Sequence, residues 1–226
     1  MKRLLAAAAL ALLSAAAFAQ APATQWEAGK HYFVIDPPLP TQTPGKVEVT
    51  EVFSYGCPAC NFAHTYVDAL RKHLPPTAQM DFVPASFNPS EDWVVFQRAY
   101  LTAKALGIAE KSHDAMFDAV WKTKELGIYD NNNRIKSPLP TIEDVAKFYV
   151  QYGVKADQFV ATANSFTINT RMKQADAYIK SAGVDQTPTI IVNGKYRLTT
   201  VSAGGNWDKA EQLVLFLVDK EAGAAK

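Results

Sequence analysis

Apolar and polar residues alternate from Lys46 to Tyr55, a segment rich in β-branched and aromatic residues. A period of two residues predicts a β-strand with one apolar face. An acidic residue lies on that face, whose members are Val47, Val49, Glu51, Phe53 and Tyr55. We therefore expect a carboxyl group among apolar neighbours.

A helical period replaces the alternation directly after this strand. Pro58 suits the first turn of a helix, because its φ angle is already helical and its missing N–H is not needed there. Pro75 and Pro76 end the element. The pattern predicts a helix with Cys57 at its N-terminus. Its apolar residues at helical spacing are Phe62, Tyr66, Ala69 and Leu70.

Four other segments have strand signals. We expect a buried strand from Gln79 to Phe87 and a short edge strand from His31 to Ile35. Thr189–Val192 and Tyr196–Leu198 flank Asn193-Gly194, which favours a type I′ hairpin because both central residues need a positive φ.

A period of 3.6 residues predicts four helices in the hundred residues after the second strand, and one more from about Asn206. A capping box at Thr141–Asp144 is expected to open the third of the four, and Gly183 to follow the fourth. We interpret the apolar stripes as core. Their residues are Trp93, Phe96, Tyr100 and Ala103; Met116, Phe117, Val120 and Trp121; Val145, Phe148, Tyr149 and Tyr152; Ile168, Met172, Ala175 and Ile179; and Trp207, Ala210, Leu213, Val214 and Leu217.

Composition and charge exclude some classes of function. The chain has 226 residues, of which 48% are hydrophobic and 20% charged, as in ordinary globular proteins with a substantial core. A formal charge of +1 without long blocks of like charge gives no electrostatic footprint for nucleic acid. We therefore expect no nucleic-acid partner.

The N-terminus has the pattern of a secretory signal peptide. Lys2 and Arg3 precede an apolar run from Leu4 to Ala17, and Ala17-Phe18-Ala19 fits a cleavage site before Gln20. The run is shorter than the ~20 residues that span a bilayer. We expect residues 1–19 to be removed and the mature secreted protein to be soluble.

Cys57 and Cys60 are the only cysteines and have the spacing C-x-x-C. A disulfide between them closes a very short loop and constrains the unfolded chain little, so it is poorly placed as a structural crosslink. Unpaired N–H groups and the positive dipole end of the predicted helix would instead favour a Cys57 thiolate. Cys60 is expected to face inward and to act as the resolving thiol.

Two further features could support this pair. Glu51 lies six residues before Cys57, and a carboxyl group in apolar surroundings has a raised pKa that allows proton exchange with Cys60. The alternative is a solvated acid at the strand end. A cis proline at Thr187-Pro188, beside a redox disulfide, can block metal capture and align a partner's backbone. The sequence leaves the isomer open, because most X-Pro bonds are trans.

The mature part of the chain resembles the DsbA family of bacterial periplasmic thiol:disulfide oxidoreductases, in the thioredoxin-like superfamily. The matching features are the segment Glu51–Cys60, the helical block and the segment Gln186–Thr189. C-x-x-C alone is a weak signal, but its combination with the preceding strand, the following helix and a distant Thr-Pro is strong. The resemblance implies an α/β thioredoxin fold, a central mixed β-sheet flanked by helices, with an inserted all-helical domain. The expected boundaries are 20–88 and 184–226 for the thioredoxin-like domain and 89–183 for the insertion.

The resemblance also implies a function. The protein would be an oxidase that donates its disulfide to unfolded secreted proteins with free cysteines, and a DsbB-like membrane partner would reoxidise it. It would be a periplasmic monomer without a metal or any cofactor beyond its redox-active disulfide. The implied site consists of Cys57 as nucleophile, Cys60 as resolving thiol, Glu51 as buried acid and Pro188 as cis proline, with Thr187, Pro58 and Ala59 at the substrate.

Two departures from the family pattern leave the direction of the reaction open. Many DsbA proteins have His where this chain has Ala59, so one source of thiolate stabilisation is absent. The residue before the proline is often Val rather than Thr187. Thr there also fits an isomerase or reductase resembling DsbC or DsbG, although residues 20–45 are too short for their N-terminal dimerisation domain. A metal site that adds His64 to the two cysteines and a peptide-binding chaperone with incidental thiols are two further hypotheses.

Overall fold

The computed structural model describes residues 25–224, so the signal peptide expected at residues 1–19 lies outside the described chain. The strands are β1 (Phe33–Val34), β2 (Val47–Phe53), β3 (Ala78–Pro84), β4 (Thr189–Val192) and β5 (Tyr196–Leu198). They form one five-stranded sheet in the order β1-β5-β4-β2-β3. β2 and β3 are parallel, whereas all other neighbours are antiparallel. The sheet is therefore mixed.

Helices lie on both faces of the sheet. They are α1 (Pro58–His73), α2 (Trp93–Ala105), α3 (Ala109–Trp121), α4 (Ile142–Tyr149), α5 (Ala156–Ala163), α6 (Phe166–Ser181) and α7 (Trp207–Ala224). Val49 of β2 belongs to a core with Leu70 of α1 and Leu213 of α7. Val52 belongs to a second core with Ile179 of α6. Within residues 25–224, no helix is both long and apolar enough to cross a membrane.

The central strand β2 is buried along its whole length. The alternating residues of β2 therefore face two different cores, and neither face of the strand is exposed to solvent. Glu48 and Thr50, on the face opposite Glu51, are also buried. Glu48 accepts hydrogen bonds from the Gln42 N–H at 2.6 Å and the Thr50 hydroxyl at 3.1 Å, which satisfy its buried carboxylate.

The prediction of a buried second strand is wrong, because β3 is an edge strand that is mostly half-buried. It pairs with β2 on one side only. The predicted edge strand is present as β1, shortened to two residues. The hairpin between β4 and β5 is confirmed, with a φ of 53° at Asn193 and 64° at Gly194.

The predicted apolar face of α1 is right at Leu70 and wrong at Phe62 and Tyr66. Phe62 and Tyr66 are 66% and 42% exposed. The residues that face the core are Cys60, Ala63, Val67 and Leu70. Both sets recur at helical spacing, and the small side chains of Cys60 and Ala63 let the helix approach the sheet closely.

Helices α2–α6 form a helical insertion between β3 and β4 in the chain. The predicted capping box at Thr141–Asp144 is present at the start of α4. The third predicted apolar stripe runs through α4 and ends in a 3₁₀ turn at Val150–Tyr152. The sequence pattern did not predict α5. The insertion core includes Phe53 and Tyr55 and both cysteines. The C-x-x-C segment therefore lies where the sheet meets the insertion.

Candidate active site

Cys57 caps the N-terminus of α1, as predicted, and follows a tight turn that begins at Ser54. Cys57 N–H donates to the Ser54 carbonyl at 3.1 Å, and Gly56 N–H donates to the Ser54 hydroxyl at 3.1 Å. No side chain caps the helix, and Pro58 occupies its first turn. The N-terminal N–H groups of α1 therefore remain available to a negative charge.

The surroundings of Cys57 favour its thiolate. The pKa of Cys57 is lowered to about 6, mainly by a hydrogen bond from the Cys60 thiol and also by Thr187 and the backbone N–H groups of Cys60 and Ala59. Burial opposes this shift but does not cancel it. Cys57 and Cys60 are both free, with no disulfide between them. Cys57 is thus largely ionised at pH 7 without a histidine at position 59.

Cys60 and Glu51 lie deeper in the core and hold their protons. Burial is the main cause that raises the pKa of Cys60. Glu51 is 1% exposed, and burial, followed by the charge of Cys57, raises its pKa to about 8. Its Oε1 has no hydrogen-bond partner within residues 25–224. The negative charge of an ionised Glu51 also raises the pKa of Cys60, so the two groups interact, and a carboxyl group that is protonated at neutral pH is suited to exchange a proton with a thiol.

The Thr187–Pro188 segment lies beside Cys57 and has a cis peptide bond. The Cys57 thiol donates to the Thr187 carbonyl at 3.5 Å. The buried Thr187 hydroxyl has no hydrogen-bond partner within residues 25–224, so it is available to donate to a Cys57 thiolate. Pro58 and Ala59 are exposed at the helix end. The structure therefore brings together every site residue that the sequence indicated.

His64 does not join the cysteines. Its ring stacks on Phe117 at 5.1 Å, and its Nδ1 is 3.9 Å from Asp114. Within residues 25–224, no group of three or more His, Cys, Asp or Glu residues could hold a metal ion.

Three contacts to the segment before Cys57 were not foreseen. The Trp121 indole N–H donates to the Tyr55 carbonyl at 2.8 Å, and the Tyr55 hydroxyl lies 3.0 Å from His113 Nδ1. A Cβ atom at Gly56 would be 2.7 Å from Trp93 Cδ1. The sequence indicated core positions for Trp93 and Trp121, but its spacing gave no signal that these residues reach the active-site turn.

An aromatic patch, which we define as the exposed Phe62 and Tyr66 and the half-buried Trp207, begins two residues after Cys60. The rings of Phe62 and Tyr66 are 5.6 Å apart, and Tyr66 stacks on Trp207 at 5.8 Å. Phe62 is five residues after Cys57, or about 8 Å along the helix axis. The patch therefore lies within reach of a polypeptide whose cysteine contacts Cys57.

Comparisons with known proteins agree with this geometry. A thioredoxin family model matches residues 42–205. The thiol:disulfide interchange protein DsbA of Pseudomonas aeruginosa strain PAO1 is 34% identical over 226 residues, covering 100% of both chains. That of Bordetella pertussis is 32% identical over 212 residues, covering 94% of this chain and 92% of the relative.

Solved structures give the same result. The crystal structure of Pseudomonas aeruginosa DsbA has a TM-score of 0.74 at 33% identity, covering 88% of this chain and 96% of the other. DsbA from Xylella fastidiosa has a TM-score of 0.74 at 33% identity, covering 85% and 95%. The predicted thioredoxin fold and DsbA resemblance are confirmed, and the isomerase and chaperone hypotheses are not favoured. The chain belongs to the DsbA family and is a protein thiol:disulfide oxidoreductase, which acts on proteins through their cysteines.

Proposed function

We propose that this oxidoreductase works as an oxidase that donates a Cys57–Cys60 disulfide to newly secreted proteins. The observation that carries this proposal is the set of donors around Cys57, namely the Cys60 thiol, Thr187 and two backbone N–H groups. Stabilising the thiolate stabilises the reduced enzyme, and a disulfide whose reduced form is stable is a strong oxidant.

The proposed reaction consists of two thiol–disulfide exchanges. A substrate thiolate attacks Cys57 Sγ, so that the Cys57–Cys60 bond breaks, a substrate–Cys57 disulfide forms and the electron pair leaves on Cys60. A second substrate thiolate attacks the substrate sulfur of this mixed disulfide, and the electron pair leaves on Cys57. The substrate loses two electrons, which the enzyme gains. One proton is taken up by Cys60, and the other passes to solvent because Cys57 stays ionised.

Glu51 is the proposed proton donor to Cys60 in the first exchange. Its pKa of about 8 keeps it protonated at neutral pH, whereas the raised pKa of Cys60 makes that sulfur a basic leaving group. When a membrane partner resembling DsbB reoxidises the enzyme, Glu51 takes the proton back. The expected signal peptide supports a periplasmic location, and we propose a monomer.

A redox equilibrium tests the direction of the reaction. We expect the purified protein, equilibrated with glutathione at pH 7, to have a reduction potential less negative than about −200 mV. The Cys57 pKa, followed by thiolate absorbance, should be close to 6. A potential near about −270 mV, as in thioredoxin, would assign the protein to the reductases instead. An ordinary cysteine pKa would contradict the proposed role of Cys57.

The aromatic patch is the proposed contact for the substrate segment around the reacting cysteine. Replacing Phe62 and Tyr66 with serine should raise KM for a reduced dithiol peptide about tenfold, which corresponds to ~1.4 kcal/mol of lost binding. The Cys57 pKa should not change. The matched control is Phe166→Ser, because Phe166 is 85% exposed on α6 of the helical insertion. An unchanged KM in the double variant, or an equal rise in the control, would exclude the patch as a contact.

A further inference from the structure

The segment that carries Cys57 is held from outside the thioredoxin-like part of the chain. Trp121, the last residue of α3, donates its indole N–H to the Tyr55 backbone carbonyl at 2.8 Å. The two residues are 66 positions apart in sequence. A hydrogen bond to a backbone carbonyl fixes the orientation of a peptide unit, here the one between Tyr55 and Gly56.

The side chain of Tyr55 is held by the same helix. Its hydroxyl lies 3.0 Å from Nδ1 of His113, also on α3. Burial among aromatic rings lowers the pKa of His113 to about 3, so the ring is neutral and its Nδ1 can accept a hydrogen bond from the Tyr55 hydroxyl. The rings of Phe53 and Phe117 pack against Tyr55 at 5.1 Å and 5.0 Å. Tyr55 is therefore fixed at both its backbone and its side chain.

A third contact restricts Gly56, between Tyr55 and Cys57. The edge of the Trp93 indole on α2 lies so close to Gly56 that an added Cβ atom would be 2.7 Å from Cδ1 and 2.8 Å from Nε1. The turn at Ser54 also holds the segment, because Gly56 N–H and Cys57 N–H both donate to Ser54. The backbone before Cys57 has little room to rotate.

We propose that Trp121 and His113 are positioning residues for the nucleophile. They hold Tyr55 in place, so that the Cys57 sulfur stays close to the N-terminus of α1 and to Thr187. The proposal rests on the role of Cys57 as nucleophile. Neither Trp121 nor His113 is among the groups that stabilise the Cys57 thiolate directly, so each acts through Tyr55.

Two conservative variants test the contacts to Tyr55, one variant for each contact. Trp121→Phe removes the indole N–H but keeps an aromatic ring, and Tyr55→Phe removes only the hydroxyl that reaches His113. We expect each variant to raise the Cys57 pKa by ~0.5 unit, which is about a threefold change in the thiolate equilibrium. The ratio of reduced to oxidised enzyme at a fixed glutathione ratio should fall by about the same factor. Loss of packing alone would lower stability without moving either quantity.

Matched controls make the same substitutions at residues outside the segment that precedes Cys57. Trp26→Phe alters a buried tryptophan that packs on His31, in the core formed with α7. Tyr178→Phe removes a buried hydroxyl that has no hydrogen-bond partner in the described chain. Both controls should keep the Cys57 pKa and the redox equilibrium of the unaltered protein.

The outcomes separate this inference from the proposed function. Folded Trp121→Phe and Tyr55→Phe proteins with an unaltered Cys57 pKa would overturn the positioning role. If Trp121→Phe does not fold, the result for Tyr55→Phe decides. An ordinary Cys57 pKa in the unaltered protein would instead contradict the oxidase proposal, whatever the variants do.

Discussion

Replacing Cys57 with alanine should abolish disulfide formation in a reduced test protein and leave the fold intact. The sulfur of Cys57 is the atom that substrate thiolates attack in the proposed reaction, and Cys60 is fully buried, so no other sulfur in the described chain is placed to replace it. The substitution removes one atom from a small side chain, and we expect the melting temperature of the reduced protein to change by less than about 5 °C. Oxidase assays and thermal unfolding measure the two effects.

The control is Cys60→Ala, which keeps the nucleophile but removes the resolving thiol. Incubated with glutathione disulfide, this variant should accumulate a mixed disulfide at Cys57, which mass spectrometry detects as one added glutathione. The Cys57→Ala protein should form none. Substantial oxidase activity in Cys57→Ala, or a glutathione adduct on Cys60, would assign the attack to the other sulfur.

Replacing Glu51 with glutamine should slow the steps in which Cys60 leaves or attacks by roughly 100-fold at pH 7. A positioned acid or base contributes typically 10² or more to proton transfer, and glutamine keeps the shape but cannot exchange a proton. Stopped-flow measurement of the reduction of the enzyme disulfide follows this step. An unaltered rate would remove Glu51 from the mechanism.

Glu48→Gln is the matched control, because Glu48 is buried on the opposite face of the same strand. Its carboxylate is hydrogen-bonded to Gln42 N–H and the Thr50 hydroxyl. The control should lower stability, because the amide that replaces one oxygen cannot accept these bonds as well. It should leave the exchange rate unaltered. Equal slowing in both variants would indicate a general effect of damaging β2.

Glu51 also has a signature in the pH dependence of stability. The folded state raises its pKa from 4.5 to about 8, so folded protein binds more protons than unfolded protein between these values. Stability of the reduced protein should therefore fall as pH rises through this window. Cys57 has the opposite effect on stability. Folding lowers its pKa from 9.0 to about 6, so its contribution to stability increases as pH rises from 6 to 9. Chemical denaturation of reduced Glu51→Gln should lack the fall that Glu51 causes between pH 4.5 and 8 in the unaltered protein.

The local elements around the site could be predicted because they depend on neighbouring residues. The alternation through Glu51 indicates a strand, and Pro58 indicates the start of a helix. The position of Cys57 at the junction between strand and helix therefore follows from these local patterns. Thr187 and Pro188 were identified as a candidate dipeptide, but their place beside Cys57 depends on β4 pairing with β2. In the sequence, only the family resemblance connects the Thr187–Pro188 segment with Cys57.

The errors have a common physical origin. Phe62 and Tyr66 are more hydrophobic than Cys60 and Ala63, yet the smaller pair faces the core, because close packing of α1 on the sheet excludes large rings there. Trp121 and His113 were missed for a related reason. Their function depends on how α3 packs against the end of β2, and no periodicity within either segment encodes that contact.

Cys57 and Thr187 are 130 positions apart in the chain, and this separation determines when the chemistry can begin. Thr187 reaches the sulfur only after β4 has inserted between β2 and β5, and contacts that close such a long loop form late in folding. A chain that has formed only β2 and α1 has a thiol without the Thr187 donor. Completion of the sheet thus adds the Thr187 contact to the stabilisation that Cys60 and the N–H groups of α1 already give the Cys57 thiolate.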